Sequence, residues 1–552
     1  LKADEQGSRH PLAPEEVPLK RNQIGWLLPP IFLALYSPIS LFSVNLGEIG
    51  FGDITRALSA ATVLALSLTL VLALIFRNLK KAALLSSFWV ILFFSYGHLY
   101  QAFKSISIGS FVLGRHRYLL PAWLVLAAAS AWLVHRKGDQ SLVLPRLVTV
   151  FSIIALAMPL STIALNLGAL SAGQFETETE LPEIGEGGLD YQPDIYYIIV
   201  DAYARQDILL DRFGYDNSDF IHSLQARGFF VAGQSHSNYI RTIFSLTSSL
   251  NLQYLQDMGL DLSHRDHRDV LDAYLQHSLA REVLAWQGYE FISMTSSYGP
   301  TEIVDADRYL VPDMGVMDRL QAEGAFNAYE DVLLRTTLLR AAVDYETTQG
   351  TSATAFIQTG LDNAKQIRRE VVLAAFSHLQ SIPDDNRPTF TFVHIVSPHY
   401  PYLFGPNGEA VNYPEPITFV EKQVIPGSES WEHYRDQLQF ISSQVIETID
   451  AILANSEQPP IIIIQADHGP ATGLNWEQPA EPYLTDRGAI FNAYLLPQDC
   501  QAPLYDGITP VNTFRVVLNC VLGTNYSLLD DRAYLDRVDA NGGLELIEIE
   551  VR

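Results

Sequence analysis

The sequence predicts five membrane-spanning helices followed by an α/β domain with a largely parallel central sheet. Three observations carry that prediction. Five apolar runs, at 24–46, 57–76, 83–103, 118–134 and 147–170, fill the first part of the chain, each near the roughly 20 residues that a bilayer crossing needs. From residue 194 onward, β-branched runs alternate with amphipathic ones, the pattern of strands joined by crossover helices. Two of those strands end in carboxylates, Asp201 and Asp467, and the second is followed at once by His468 and Gly469.

The five runs read as spans rather than buried core helices, because their succession with short connections leaves no polar faces to meet water. Basic residues orient them. Lys20 and Arg21 precede the first span, Arg77, Lys80 and Lys81 fill the second connection, and Arg136, Lys137 and Arg146 the fourth. Lys104, Arg115 and Arg117 in the third connection oppose this alternation. Three sites against one place residues 1–23 in the cytoplasm as a tail and everything after residue 170 outside it, in the periplasm or on the cell surface. Pro29, Pro30, Pro38, Pro121 and Pro159 are tolerated in or beside spans as kinks, and His98 receives no role.

Bulk composition narrows the partners. The 552 residues carry 36 Lys and Arg against 62 Asp and Glu, a net charge of −26. That balance excludes nucleic acid, which needs a basic footprint. The mean hydropathy of +0.10 follows from the apolar first part. Cys500 and Cys520 are the two cysteines, and no CxxC or Cys/His zinc-finger spacing occurs. A metal would therefore be held by Asp, Glu, His or hydroxyl oxygen. Whether the two cysteines pair depends on a separation that sequence does not give.

Residues 171–193 are polar and acidic and read as a linker; residues 194–552 form the domain beyond it. Strand 194–201 leads to a helix over 216–227, which Gly228 ends as a C′ residue. A short strand at 229–232 precedes a helix starting near Thr242. One long helical region covers 325–380, and strands follow at 389–396, 461–465 and 489–496. Tyr483, Arg487 and Asn492 read as scaffold, and the acidic stretch 536–550 as a solvated surface element.

Within this domain, polar groups converge at a few places. The four isoleucines of 461–464 make a strand buried on both faces, and ligands gather at the carboxyl edge of such sheets. Asp467 and His468 stand at that edge, and Asp201 ends a second strand. Thr242 opens a helix, while His394 and His399 flank the turn in 392–402. Plainer roles compete with each. Asp201 fits a helix N-cap and His394 a core histidine. Ser235, Ser237, Ser245 and Thr247 are rival hydroxyls to Thr242, and Arg241 and Asn238 suit capping as well as anion binding.

The order of a strand-ending Asp, a hydroxyl at a helix start, a His-x-x-x-x-His turn and a strand-ending Asp-His-Gly resembles the alkaline-phosphatase/sulfatase superfamily. Five spans before such a domain resemble lipoteichoic-acid synthases and phosphoethanolamine transferases. The stretch 224–238 is similar to the sulfatase lead-in to the nucleophile, and counting on from Gly228 reaches Thr242. The resemblance implies that Asp201, Asp467 and His468 are metal ligands and that Thr242 is both nucleophile and fourth ligand. It also implies that His394 and His399 contact the transferred group or its leaving oxygen. Thr242 is followed by Ile-Phe-Ser-Leu rather than x-Pro-x-Arg, which argues against a formylglycine sulfatase. Second-metal ligands of the family are not evident downstream of Asp-His-Gly, so one divalent ion, zinc or manganese, is expected.

Physical chemistry fits that set. Metal coordination turns a weakly nucleophilic threonine into an alkoxide, helix-end amides favour an anionic ester, and imidazoles protonate leaving groups. The expected function is a membrane-anchored phosphoester-type transferase or hydrolase acting through a covalent threonine intermediate. A membrane lipid donor and an envelope acceptor, lipid or glycan, would be its partners. The alternatives are a non-catalytic envelope protein that keeps the fold, and a sulfuric ester hydrolase without formylglycine.

Overall fold

The computed structural model describes residues 25–45, 51–104, 106–108, 111–112, 114–137, 143–170, 185, 187–260, 267–313, 326–342, 344, 355–382, 387–411, 423–425, 427–473, 483–538 and 544–551. The expected tail at 1–23 and most of the expected linker lie outside the described residues. The chain divides into two units. A helical unit falls within Leu1–Val44, Ile54–Thr162 and Leu333–Ala342, and an α/β unit holds the rest.

The helical unit contains α1 (Leu28–Val44), most of α2 (Phe51–Phe76), α3 (Leu79–Phe103), α4 (His116–Lys137) and most of α5 (Val143–Leu170). Among the described residues, five helices are long and apolar enough to cross a membrane. The last four outrun the apolar stretches read from sequence, since backbone hydrogen bonding continues into polar flanks, whereas α1 lies within its stretch at 24–46. At the start of α3, for example, Asn78 caps the helix, its side chain accepting from Lys81 N at 3.1 Å. Leu74, Val125 and Leu165 are left exposed on α2, α4 and α5, as lipid-facing side chains must be. Between α2 and α3, the Thr69 hydroxyl donates to Ser86 Oγ at 2.9 Å.

A stretch from much later in the chain also belongs to this unit. Leu338 N donates to Phe93 O at 2.8 Å, and the Arg340 guanidinium lies 4.3 Å from the Tyr100 ring centroid. A Cβ at Gly97 would stand 2.1 Å from Arg335 O, so only glycine permits that approach. The single helical region expected over 325–380 is therefore corrected. A helix at Ala328–Thr336 is separate from one at Ala355–Ser381, and the contacts of residues 333–342 draw that stretch into the helical unit.

The α/β unit runs β1 (Ile195–Val200), α6 (Ser218–Ala226), β2 (Phe230–Val231), α7 (Thr242–Leu250), β3 (Glu290–Met294), β4 (Arg308–Leu310), α8 (Ala355–Ser381), β5 (Thr389–Ile395), α9 (Glu429–Asn455), β6 (Ile461–Gln465), α10 (Tyr483–Gly488), β7 (Asn492–Leu495) and α11 (Pro510–Leu522). Seven strands form one sheet in the order β2-β7-β6-β1-β5-β3-β4. Pairings from β6 through β1, β5 and β3 to β4 are parallel, whereas β7 runs antiparallel to both β6 and β2. Every residue of β1 and β6 is buried, because helices cover both faces of the sheet. On one face Tyr196, Ile198 and Val200 pack with Phe376, Leu438 and Ile441 of α8 and α9. On the other, Tyr197 and Ile199 pack with Leu246 of α7 and Phe514 of α11.

The acidic stretch 536–550 is ordered as a hairpin arm: β8 (Ala533–Val538) pairs antiparallel with β9 (Leu544–Ile549). Arg537, Glu545, Glu548 and Glu550 are exposed, as expected of a solvated surface element. Asp536 is the exception, buried with its Oδ2 2.8 Å from Arg241 Nε beside buried Ala533, Tyr534 and Leu535. Cys500 and Cys520 form a disulfide with their Cα atoms 5.4 Å apart.

Candidate active site

Strand register assembles the site. In the parallel ladders, Ile199 of β1 stands level with His394 of β5 and with Gln465 of β6. Two residues further on, Asp201 and Asp467 therefore leave the sheet side by side at its carboxyl edge. Ala202 turns the chain there with φ of 63°, a left-handed conformation that costs a non-glycine residue energy. The turn is held at both ends: Ala202 N donates to Asp467 Oδ1 at 3.3 Å, and Tyr434 OH of α9 donates to Ala202 O at 2.9 Å.

His468 occupies the centre. Its Nε2 lies 3.2 Å from Thr242 Oγ1, 3.3 Å from Asp467 Oδ2 and 3.5 Å from Asp201 Oδ1. Its Nδ1 faces Gly469 O at 3.0 Å, which suits the tautomer with a proton on Nδ1 and a lone pair on Nε2. Thr242 is the first residue of α7, and no side chain of its N-cap, Arg241, satisfies the first amides. The rival hydroxyls point elsewhere. Ser235 donates to Ile508 O, Ser237 to Asp467 O and Thr247 to Leu271 O, while Ser245 Oγ accepts from Ser237. Among these five hydroxyls Thr242 is the one in hydrogen-bond contact with His468.

The two turn histidines enter differently. His394 Nε2 lies 3.3 Å from Asp201 Oδ2, and its Nδ1 is 3.0 Å from Thr301 Oγ1. His399 packs its ring 5.9 Å from that of His468, with its backbone N donating to Asp201 O at 3.0 Å. It is buried, not surface-exposed. Asn238 and Arg241 take structural roles. The Asn238 amide donates to Tyr254 OH and Arg532 O and accepts from Val511 N, and Arg241 pairs with Asp536.

Among the described residues, three buried atoms in this cluster, Asp201 Oδ1, Asp467 Oδ2 and His394 Nε2, have no hydrogen-bond partner. Buried polar atoms are seldom left so, and two adjacent carboxylates with converging imidazoles are the donor set of a divalent cation. Asp201, His394 and Asp467 offer ligand atoms within 4.8 Å of one another, as do Asp201, His399 and His468. Electrostatics agrees. Burial alone would raise the Asp201 carboxyl, but His399, His394 and His468 together hold it below the ordinary carboxylate range. Burial, and then the charge on Asp201, push Asp467 up to about 7. Burial, and then the charge of Arg487, push the His468 imidazole down, leaving it neutral and able to ligate.

Three supporting residues escaped the sequence reading. Gln437 of α9 binds the His399 turn, donating to Pro398 O and His399 O and accepting from Leu403 N. Its signal was a polar residue on the buried face of an amphipathic helix. Thr301 carried no signal of its own. Arg487, read as scaffold, is buried with Nη2 3.0 Å from His468 Nε2.

No protein-family model and no curated protein matches the sequence. Among solved structures, the chain is similar to the integral membrane lipooligosaccharide phosphoethanolamine transferase A of Neisseria meningitidis. Identity is 11% and the TM-score 0.37, over 91% of this chain and 95% of that one. It is also similar to the C-terminal periplasmic domain of EcEptC from Escherichia coli in complex with zinc. There identity is 13% and the TM-score 0.41, over 67% of this chain and 96% of that one. The periplasmic domain of phosphoethanolamine transferase EptC from Campylobacter jejuni matches at 11% identity and a TM-score of 0.34, over 62% of this chain and 92% of that one. Residue roles in this chain rest on its own geometry.

Proposed function

We propose that this chain is a membrane-anchored, metal-dependent phosphoester transferase or hydrolase that works through a covalent phospho-threonine at Thr242. The observation that carries the reading is the contact of the Thr242 hydroxyl, at the start of a buried helix, with His468 beside three orphaned ligand atoms. Asp201, Asp467 and His468 would hold one zinc or manganese ion, with His394 facing Asp201 as a further ligand and Thr242 completing the set. Bound there, the cation would neutralise the carboxylates and lower the pKa of the Thr242 hydroxyl.

The chain's own residues then carry a two-step transfer. The amides opening α7 receive the non-bridging oxygens of the ester. The Thr242 oxygen, its proton given up to solvent, bonds to phosphorus, the bond from phosphorus to the leaving oxygen breaks, and protonated His399 gives that oxygen its ring proton. An acceptor hydroxyl, or water, next returns a proton to His399, bonds to phosphorus and releases the Thr242 oxygen. Transferase and hydrolase differ only in that acceptor. The five spans would hold the site near the outer leaflet, where a phospholipid donor and an envelope lipid or glycan acceptor are at hand. The Cys500–Cys520 bridge favours an oxidising compartment outside the cytoplasm.

Intact-protein mass spectrometry of the full chain, purified with zinc or manganese and incubated with phospholipid, tests the reading. A covalent phosphoryl-type adduct on Thr242, lost in Thr242→Ala, is expected. Turnover without any adduct on residues 235–249 would end the covalent mechanism. Absence of both turnover and stoichiometric metal would end the enzymatic reading.

A further inference from the structure

The turn that follows β3 is built around one carboxylate. Glu302 Oε1 accepts from Ser297 N at 2.6 Å, from Ser296 N at 3.0 Å and from Thr295 Oγ1 at 3.2 Å. Its Oε2 accepts from the Tyr309 hydroxyl of β4. Ser297 stands in the left-handed region with φ of 62°, a conformation that costs a non-glycine residue energy and that the charge-assisted amide bonds hold in place. Because β3 pairs in parallel with β5, this turn leaves the sheet at the same carboxyl edge as His394.

Two hydroxyls connect that carboxylate to the site. Ser296 Oγ lies 3.3 Å from Glu302 Oε1 and 2.8 Å from Thr301 Oγ1, and Thr301 Oγ1 lies 3.0 Å from His394 Nδ1. Ser296, Thr301 and His394 are all buried. Each hydroxyl has one proton to donate. With a carboxylate at the outer end, the chain runs one way: Ser296 donates to Glu302, Thr301 to Ser296, and His394 Nδ1–H to Thr301. Thr301 also has Tyr298 O within reach at 3.1 Å, and donating there leaves its oxygen equally open to Nδ1–H. Neutral His394 then keeps its lone pair on Nε2, the atom 3.3 Å from Asp201 Oδ2. Asp201 pulls the other way, toward a proton on Nε2. Among the described residues, however, Nε2 makes no hydrogen bond, so that pull acts through charge alone, while Nδ1 is held by direct contact.

We propose that Glu302 is a positioning residue for His394: through Ser296 and Thr301 it holds the neutral imidazole in the tautomer whose Nε2 lone pair faces Asp201, ready to ligate a divalent cation. The assignment rests on the metal reading above and deepens it by naming the group that fixes the proton of a ligand. A carboxylate behind a ligating histidine orients the ring and raises its basicity. Here two hydroxyls carry that influence from one strand connection to the next. A purely structural Glu302 would shape the turn and leave the His394 proton where it is.

The experiment uses the full chain in detergent with isotope-labelled histidine. Ring-nitrogen shifts of His394, assigned by their loss in His394→Gln, are read without metal above neutral pH. Wild type should carry the proton on Nδ1. Glu302→Gln, whose amide can donate to Ser296 and reverse the chain, and Ser296→Ala, which breaks it, should move the proton to Nε2; Ser296→Thr should restore it. Zinc affinity, from competition with a chelator, should fall about 10-fold in Glu302→Gln. The double variant Glu302→Gln with Thr301→Val should bind zinc no more weakly than Thr301→Val alone, because both act along one path. If Ser296→Ala does not fold, Glu302→Gln carries the test. A wild-type proton on Nε2, a wild-type tautomer in a folded variant, or additive losses of zinc affinity overturns the assignment and leaves the proposed function standing. If wild type binds no zinc while the tautomer moves as stated, the metal reading falls and the hold of Glu302 on the His394 proton stands.

Discussion

Replacing Asp467 by Asn should stabilise the protein without metal and deprive it of metal, and the two effects can be read separately. Asp467 is fully buried beside Asp201, and its carboxyl is raised from the ordinary 3.8 to about 7 by burial and by that neighbouring charge. A carboxyl raised in the folded state leaves stability untouched below its unfolded value, and its cost accrues as pH climbs toward the folded value. At pH 8, above both, the ionised Asp467 costs the metal-free fold about 4 kcal/mol, at 1.36 kcal/mol per pH unit of separation. At pH 5 the cost is less than about 2 kcal/mol. Asn has the same shape, still accepts from Ala202 N, and carries no charge. For a domain of this size about 4 kcal/mol corresponds to ~5 °C. Calorimetric melting of metal-stripped full chain in detergent should therefore place Asp467→Asn ~5 °C above wild type at pH 8, with a smaller gap at pH 5. Zinc should reverse the order, raising wild type and leaving the variant unmoved. A metal-free variant that melts below wild type at pH 8 would refute the like-charge repulsion between Asp201 and Asp467.

Further outcomes follow from the same geometry. Zinc must displace the proton that Asp467 holds below about pH 7, so zinc affinity should fall about tenfold per pH unit from 7 to 5, and a flat titration profile would contradict this. Thr301→Val removes the hydroxyl beside His394 Nδ1; zinc affinity should drop about 10- to 100-fold with little change in fold, as measured by competition with a chelator. Cys500→Ser with Cys520→Ser opens a bridge spanning 20 positions and should cost the α/β unit about 3 kcal/mol in calorimetric melting, matched by mild reduction of wild type. Gln437→Leu leaves the carbonyls of Pro398 and His399 unpaired; turnover should fall while zinc content holds, and unchanged turnover would remove Gln437 from the support of His399.

The residues most legible in the sequence were those whose position depends only on strand ends. Asp201, Asp467 and His468 follow buried apolar runs, and parallel register places such ends together without further information. Thr242 was legible through the helix it opens. His394 and His399 were visible as a pair, but not that one would face Asp201 with Nε2 while the other packed its ring on His468. Arg487 and Thr301 reach the site from segments with no periodic mark of their own, by contacts across 19 and 93 positions. At the chain end the acidic composition marked the exposed edge, Glu545, Glu548 and Glu550, but not the strand pairing or the burial of Asp536 against Arg241. The split of the 325–380 region was hidden for a related reason. Helical periodicity does not say which body an amphipathic stretch will join.

The stretch Leu333–Ala342 means that no single cut in the chain separates the two units. A fragment begun after the fifth helix would still encode Leu338 and Arg340, but not Phe93 or Tyr100, their partners in the helical unit. Its amide and guanidinium would face detergent-free water beside apolar neighbours shaped for packing against α3. Truncation at the linker, the natural first step for such a protein, therefore creates a sticky strap in the middle of the soluble piece. Excising 333–342 together with the spans, and bridging the gap with a short polar loop, is the cut that respects how this chain is folded.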